Sequence, residues 1–339
     1  MSRPATVQDS LARLQWGDHV CQLFDSAEDL GEVLVPYFRA GLERNEACLW
    51  VTSRPYGTDR AFGEMRAAVP DFDRRKAAGQ IQIVGYDEWY TKQGALSAAE
   101  TIRNWMSRKD EAVASGYAGL RITGNTSFLD EGMWKDFMDY ERALDVALEG
   151  QRILTLCSYC MAERAADSVL EVMCAHGSSL TKHGGHWDLL DFKHALGTAG
   201  DPLAARDAQW SAVRGVVESR LAAFMDTHPD LISLAGGHVV LSRDQAINLT
   251  IVVQELAVNA AQYGALSSAQ GKITVQWRLS INGSRRLYFK WVESGMSKLV
   301  IPETLGFGTR LIAGLVENYV RVFEPEGITC TFELDLEGA

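Results

Sequence analysis

The sequence predicts two successive α/β domains, the first laid on a largely parallel sheet. Three observations lead there. Short β-rich apolar runs alternate with helical stretches through the first 190 residues, a Gly- and Pro-bearing stretch of small residues breaks that order near residue 200, and a long helix followed by two aromatic strands comes after it. At 339 residues and 47% hydrophobic content, the chain exceeds what one core organises and holds ample apolar material for two.

In chain order, a short apolar strand follows Asp18 and His19, and then come ACLWVTS (47–53), QIQIVGY (80–86), YAGLRITG (117–124) and RILTLCSY (152–159). Helical stretches around 28–44, 58–68, 96–115, 131–149 and 162–175 separate or follow them, an order that implies parallel strands covered by helices. Ligands of such sheets gather at the strands' C-terminal ends, here Thr52–Arg54, Tyr86–Glu88 and Thr123–Asn125. His19 is a titratable side chain beside the first strand, and with Arg121 it forms the candidate sensory-ligand pair. Trp134, Tyr86 and Trp89 supply aromatic walls for such a pocket.

Six cysteines in a reducing compartment read as free thiols. Cys157 and Cys160 form C-S-Y-C, with Cys174 and His176 not far behind, but on a strand that spacing sends the thiols to opposite faces. A structural role is therefore favoured over a metal or redox pair.

The stretch HALGTAGDPLAARD (194–207) suits a linker. It runs into LAARDAQWSAVRGVVESRLAAFMD (203–226), a helix with Leu203, Trp210, Val213, Val217, Leu221 and Phe224 along one stripe. That stripe either pairs with its copy in a homodimer or packs on its own domain. The expected organisation is thus a first domain at 1–190, a linker and candidate dimerisation helix at 191–230, and a second domain at 231–339.

A second amphipathic helix spans Ser242 to Tyr263, with Ser242 as N-cap and Ile247, Ile251, Leu256 and Ala260 at near-helical spacing. Glu255 and Asn259 fall four apart on one face. An Asn carbonyl together with phosphate oxygens suits Mg²⁺, leaving the carboxylate to orient a water or accept a proton. KITVQWRLS and RRLYFKWVES then alternate as two strands around ING (281–283), ending at Glu293 and Gly295. Further on, Gly306 and Gly308 flank Phe307, which permits a chain reversal and close approach to phosphates, with Arg310 adding charge.

E-L-x-x-N-A-x-x-Y-G-A-L at 255–266, W-x-E at Trp291 and Glu293, and G-F-G-T-R-L-I at 306–312 resemble the histidine-kinase-type ATPase superfamily shared with gyrase and heat-shock chaperones, and within it the HWE sensor kinases. The resemblance implies a Bergerat-type α/β sandwich in which Asn259 binds Mg²⁺, Glu255 assists the chemistry, Glu293 recognises adenine, and Gly306 and Gly308 border a lid over ATP. Gln262, Tyr263, Gly295, Phe307, Thr309 and Arg310 would complete the ATP contacts. The chain departs from that pattern at Gln254, where the group has His, at Gln262, where it has a basic residue, and at Met296, where it has a second Gly. It also lacks the H-R-x-x-N phosphoacceptor segment of those kinases, so His176, His183, His186 and His194 stand as candidate acceptors, as does a histidine on another protein.

GDHVCQLFDS (17–26), AGLERNEACLWVTS (40–53) and GYAGLRITGNTSFL (116–129), with the Tyr140-Glu141 pair in the next helix, resemble the MEDS sensory domain of methanogen and methylotroph regulators. That domain has a RecA-like appearance, and without a G-x-x-x-x-G-K-[ST] phosphate loop it is expected to sense rather than hydrolyse.

The expectation is a cytoplasmic sensor and atypical HWE-like histidine kinase that uses ATP and Mg²⁺ to phosphorylate a His on itself or a partner, and then a response regulator. The alternative is an anti-sigma-type ATP-binding regulator or Ser/Thr kinase controlling a partner protein, and a catalytically dead scaffold follows if Gln262 and Met296 abolish nucleotide binding. A net charge of −11 argues against direct nucleic-acid binding. Neither a bilayer-spanning apolar run nor a signal-peptide core is apparent, so no membrane association is expected.

Overall fold

The computed structural model describes residues 6–90, 97–127, 132–160, 166–183, 185–191, 212–227, 229–268, 270–280, 285–296, 307–325 and 327–336. The chain divides into two compact units, Met1–Asp191 and Phe192–Ala339. Both are α/β.

In the first unit, five parallel strands, β1 (His19–Phe24), β2 (Ala47–Thr52), β3 (Ile81–Gly85), β4 (Leu120–Asn125) and β5 (Ile153–Cys160), are joined by β6 (Ser178–His183) and β7 (His186–Asp191) in the order β3-β2-β4-β5-β1-β6-β7. Among the described strands of this sheet, only β6 and β7 run antiparallel to each other. Among the described residues eight helices accompany them: α1 (Val7–Ala12), α2 (Ala27–Glu43), α3 (Thr58–Ala68), α4 (Phe72–Ala77), α5 (Tyr86–Trp89), α6 (Ala98–Ala114), α7 (Trp134–Leu148) and α8 (Ala166–Ala175). The helix starts are written locally. At α2 the Ser26 hydroxyl accepts from Asp29 N–H while the Asp29 carboxylate accepts from Ser26 N–H, a capping box that satisfies two donors the helix would otherwise orphan.

Strand periodicity sorts the side chains between the sheet's two faces. Val20, Phe24, Leu154 and Leu156 share a core with Leu30, Leu34, Tyr37 and Phe38 of α2. His19, one residue out of phase with Val20, points to the opposite face, as does Cys157, one residue out of phase with Leu156. The same alternation separates Cys157, fully buried, from Cys160, which packs at the edge of the α2-side core.

The second unit carries α9 (Val213–Thr227), α10 (Arg243–Gln262) and α11 (Phe307–Leu315) with a sheet ordered β11-β12-β10-β9-β8, formed by β8 (Ile232–Gly236), β9 (Lys272–Ser280), β10 (Arg286–Ser294), β11 (Glu317–Glu324) and β12 (Gly327–Asp335). β8 and β9 pair in parallel, and the other pairs are antiparallel. β9 and β10 meet in the register expected of a hairpin, although 281–284 lie outside the described residues. α10 begins at the predicted N-cap: the Ser242 hydroxyl accepts from Gln245 N–H, and the Gln245 side chain returns an acceptor to Ser242 N–H at 2.8 Å.

On the helix stripe, Val213, Val217 and Leu221 are fully buried, and α9 packs on α10 and β8 of its own unit. Of the two uses expected of the stripe, this is packing on its own domain. Leu203 and Trp210 lie outside the described residues.

Candidate functional site

Three segments distant in sequence meet around the last turns of α10. Glu255 lies on the buried side of that helix, 3% exposed, and Gly308 in the first turn of α11 sits so close that an added Cβ would collide with Glu255 Oε2. One turn past Glu255, Asn259 is half-buried, followed by half-buried Gln262 and by Tyr263, which is 61% exposed.

Glu293 is buried because it falls in phase with Leu287, Phe289 and Trp291 on the core face of β10. Its carboxylate accepts from Ala265 N–H at 2.7 Å and from the Trp291 indole N–H at 3.1 Å. Burial pushes the Glu293 carboxyl above its usual pKa, against the opposing pull of these two donors and of Arg321. Each carboxylate oxygen has acceptor capacity beyond the single bond it makes here. Gly264 must be glycine, since a Cβ would strike Glu293 Oε2 and approach Ala260 Cα at 2.7 Å. Gly295 adopts φ +71°, in the left-handed region that favours glycine.

The oxygen-rich set of Asn259, Glu255 and Glu293 has the chemistry Mg²⁺ and an adenine amino group require. Gly308 and half-buried Thr309 open α11 beside Glu255, whereas Gly306 lies outside the described residues and the side chains of Phe307 and Arg310 are not described.

The candidate phosphoacceptors fare differently. His176 is 1% exposed and its Nδ1 lies 2.6 Å from the Val172 carbonyl, which keeps it from a nucleotide in the folded state. His186 is exposed at the start of β7. The His183 side chain and all of His194 fall outside the described set.

His19 and Arg121 lie on opposite faces of the first sheet. Arg121, in register with Leu154, is buried on the α2 side, where its Nε donates to Glu46 at 2.5 Å and its guanidinium lies 4.5 Å from the Tyr37 ring centroid. His19 faces α7: its Nε2 lies 3.0 Å from Glu141 Oε2 and its Nδ1 3.4 Å from Asp145 Oδ1. Burial opposes charge on His19, but these carboxylates outweigh it and raise the pKa. The His176 ring stacks beside His19 with centroids 4.0 Å apart; burial and the neighbouring His19 charge push it down to about 3.

The sequence sets Cys157 and His176 near enough for a metal site to be weighed, but it leaves His19 apart from them and Glu141 only within a motif. The overlooked signal was Glu141 itself, a carboxylate on the apolar stripe of α7 alongside Phe137, Leu144 and Leu148.

Residues 18–177 match the family model of MEDS, the methanogen/methylotroph, DcmR sensory domain. A blue-light-activated histidine kinase of Brucella anthropi is 32% identical over 140 residues, 40% of this chain and 28% of that protein. The namesake protein of Brucella ovis is 31% identical over 128 residues, 38% of this chain and 26% of its own. The match thus spans little more than a quarter of these relatives. Among solved structures, the histidine kinase domain of an Erythrobacter litoralis blue-light activated histidine kinase aligns with a TM-score of 0.30 and 17% identity over 42% of this chain and 72% of that one. A KaiC-like protein of Pyrococcus horikoshii aligns at 0.35 and 14% over 55% and 85%. No helix among the described residues is long and apolar enough to cross a membrane.

Proposed function

We infer, from a chain that carries a MEDS-type domain over residues 18–177, that it is a sensor whose second unit binds ATP with Mg²⁺ and acts as an atypical, HWE-like histidine kinase. The observation that carries this reading is the convergence on α10: Glu255 against Gly308 at one level, Gly264 and Ala265 against Glu293 at the other. These are the motif residues of the ATPase resemblance, and the similarity to blue-light-activated histidine kinases also supports the reading.

In this reading Asn259 offers its carbonyl to Mg²⁺, Glu255 orients a water or accepts the proton of the attacking group, and Glu293 accepts from the adenine amino group. ATP, when bound, supplies the phosphoryl group. Gly308 lets the backbone of α11 close over Glu255 without a side chain between them. Phosphate would pass to a histidine of this chain or of a partner, and from there to a response-regulator aspartate. His186 is the candidate acceptor whose described side chain is exposed.

A second reading rests on the missing H-R-x-x-N segment: an anti-sigma-type ATP-binding regulator or Ser/Thr kinase controlling a partner without autophosphorylation. Incubation with γ-labelled ATP and Mg²⁺, comparing wild type with Asn259→Ala, separates the two. Label that depends on Asn259, is lost in acid and survives base is expected of the kinase. Acid-stable label would select the Ser/Thr-kinase form of the second reading, and nucleotide binding without label would move the search to a partner that supplies the acceptor or is held by the ATP-bound state.

A further inference from the structure

A buried cluster on the α7 side of the first sheet takes no part in the proposed ATP chemistry. His19 from β1, Glu141 from α7, Cys157 from β5 and His176 just beyond α8 bring ligand-type atoms within 4.8 Å of one another, and all four side chains are buried. We propose that these residues bind a divalent metal ion of the zinc class through His19 Nε2, Glu141 Oε2, Cys157 Sγ and His176 Nε2.

The distances suit such an ion. Bonds of about 2.0–2.3 Å in a tetrahedron separate neighbouring ligand atoms by roughly 3.3–3.8 Å. Here Glu141 Oε2 lies 3.0 Å from His19 Nε2 and 3.4 Å from His176 Nε2, while Cys157 Sγ lies 3.6 Å from His19 Nε2 and 3.7 Å from Glu141 Oε2. The remaining pairs lie within 4.8 Å, so adjustments of no more than about an ångström bring the set around a central ion.

The surroundings fix both imidazoles as ligands. His176 Nδ1 is held by the Val172 carbonyl, which turns Nε2 toward the cluster, where it has no hydrogen-bond partner although buried. His19 Nδ1 faces the Asp145 carboxylate, the outer-shell partner that a metal-bound histidine commonly has. A thiolate, two imidazoles and one carboxylate select zinc-like ions over Mg²⁺ or Ca²⁺, which prefer all-oxygen sites.

Charge also balances. On binding, the Cys157 thiol proton leaves to solvent, and the two charges of the ion meet one carboxylate and one thiolate among the four ligands. Because the ligands are fully buried, loading would accompany folding.

The test uses full-length protein produced separately in zinc- and cobalt-supplemented medium, washed with chelator and analysed without nucleotide. The expected result is about one metal ion per chain, with thiolate-to-cobalt charge-transfer absorption and the strong ligand-field bands of tetrahedral cobalt. Cys157→Ser should abolish the charge-transfer band, while Cys48→Ser, on the other face of the sheet, should leave it. Asp145→Asn should keep the band and weaken affinity about 10- to 100-fold. Metal-free protein from both media, or a band that survives Cys157→Ser, would overturn the proposal and leave a hydrogen-bonded His–Glu–His core. Should Cys157→Ser fail to fold, His176→Gln takes its place, and unchanged affinity and spectrum in that variant would sink the idea. Asn259→Ala should leave the metal content unchanged, so the fate of this site is distinguishable from that of the ATP site.

Discussion

Single residues decide how tightly the motifs close. Gly264 and Gly308 both press on a carboxylate, but what lies behind each differs. A methyl at Gly308 meets only the end of the Glu255 side chain, which can swing away, so Gly308→Ala should cost little stability while ATP turnover falls. A methyl at Gly264 also meets the α10 backbone at Ala260, and Gly264→Ala should destabilise the second unit by about 1–3 kcal/mol, read as a lower urea midpoint at unchanged slope. Asp29 gives a pH-dependent case. Burial raises its pKa, but Lys182 at 2.8 Å and the Ser26 and Asp25 amides outweigh that and lower it. Its stabilising effect is therefore present above the unfolded value of 3.8 and lost as pH falls through the lower folded value. Asp29→Asn should unfold earlier than wild type at pH 7, and the two unfolding curves should converge on acidification. Ser26 and Asp29 are neighbours in sequence and cap their helix locally. The Lys182 partner was not legible in the sequence, because 153 residues separate it from Asp29.

At the scale of elements, α10 was the most readable: its stripe, its N-cap and the Glu255/Asn259 pair all follow from helical periodicity. Ser242→Ala should cost about 1 kcal/mol of second-unit stability, measurable by thermal melting. Strands β2 and β5 were readable because burial on both faces demands largely apolar runs, whereas β3, at the sheet edge with Gln82 exposed, was readable from its β-branched Ile81, Ile83 and Val84. Others were not. SSLTKH (β6) carries mostly polar residues and pairs because β1 offers it a parallel edge. β11 is an edge strand with Val320 52% and Val322 45% exposed, so its pattern does not mark a core face. The stripe of α9 was legible, but its partner was not: periodicity reports that a face is apolar and is silent on whether the chain's own α10 covers it.

For the whole molecule, two compact units should respond to different ligands. ATP with Mg²⁺ at 100 times its dissociation constant should stabilise the second unit by about 2.7 kcal/mol, shifting one calorimetric transition upward and, in Asn259→Ala, shifting it far less. If the first unit regulates the second, the full chain and a fragment beginning at residue 212 should differ in ATP affinity or turnover; equal values would argue against coupling. The sheet order also constrains the birth of the protein. Among the described strands β1 is made first, yet both its neighbours, β5 and β6, come late: His19 pairs beside Thr155, 136 positions on. At about 5–20 residues per second of synthesis, the ribosome leaves that buried-to-be strand unpartnered for roughly 7–27 s. The nascent chain is then most exposed to wrong partners and most in need of a chaperone, and a rare-codon pause placed before β5 would lengthen that window.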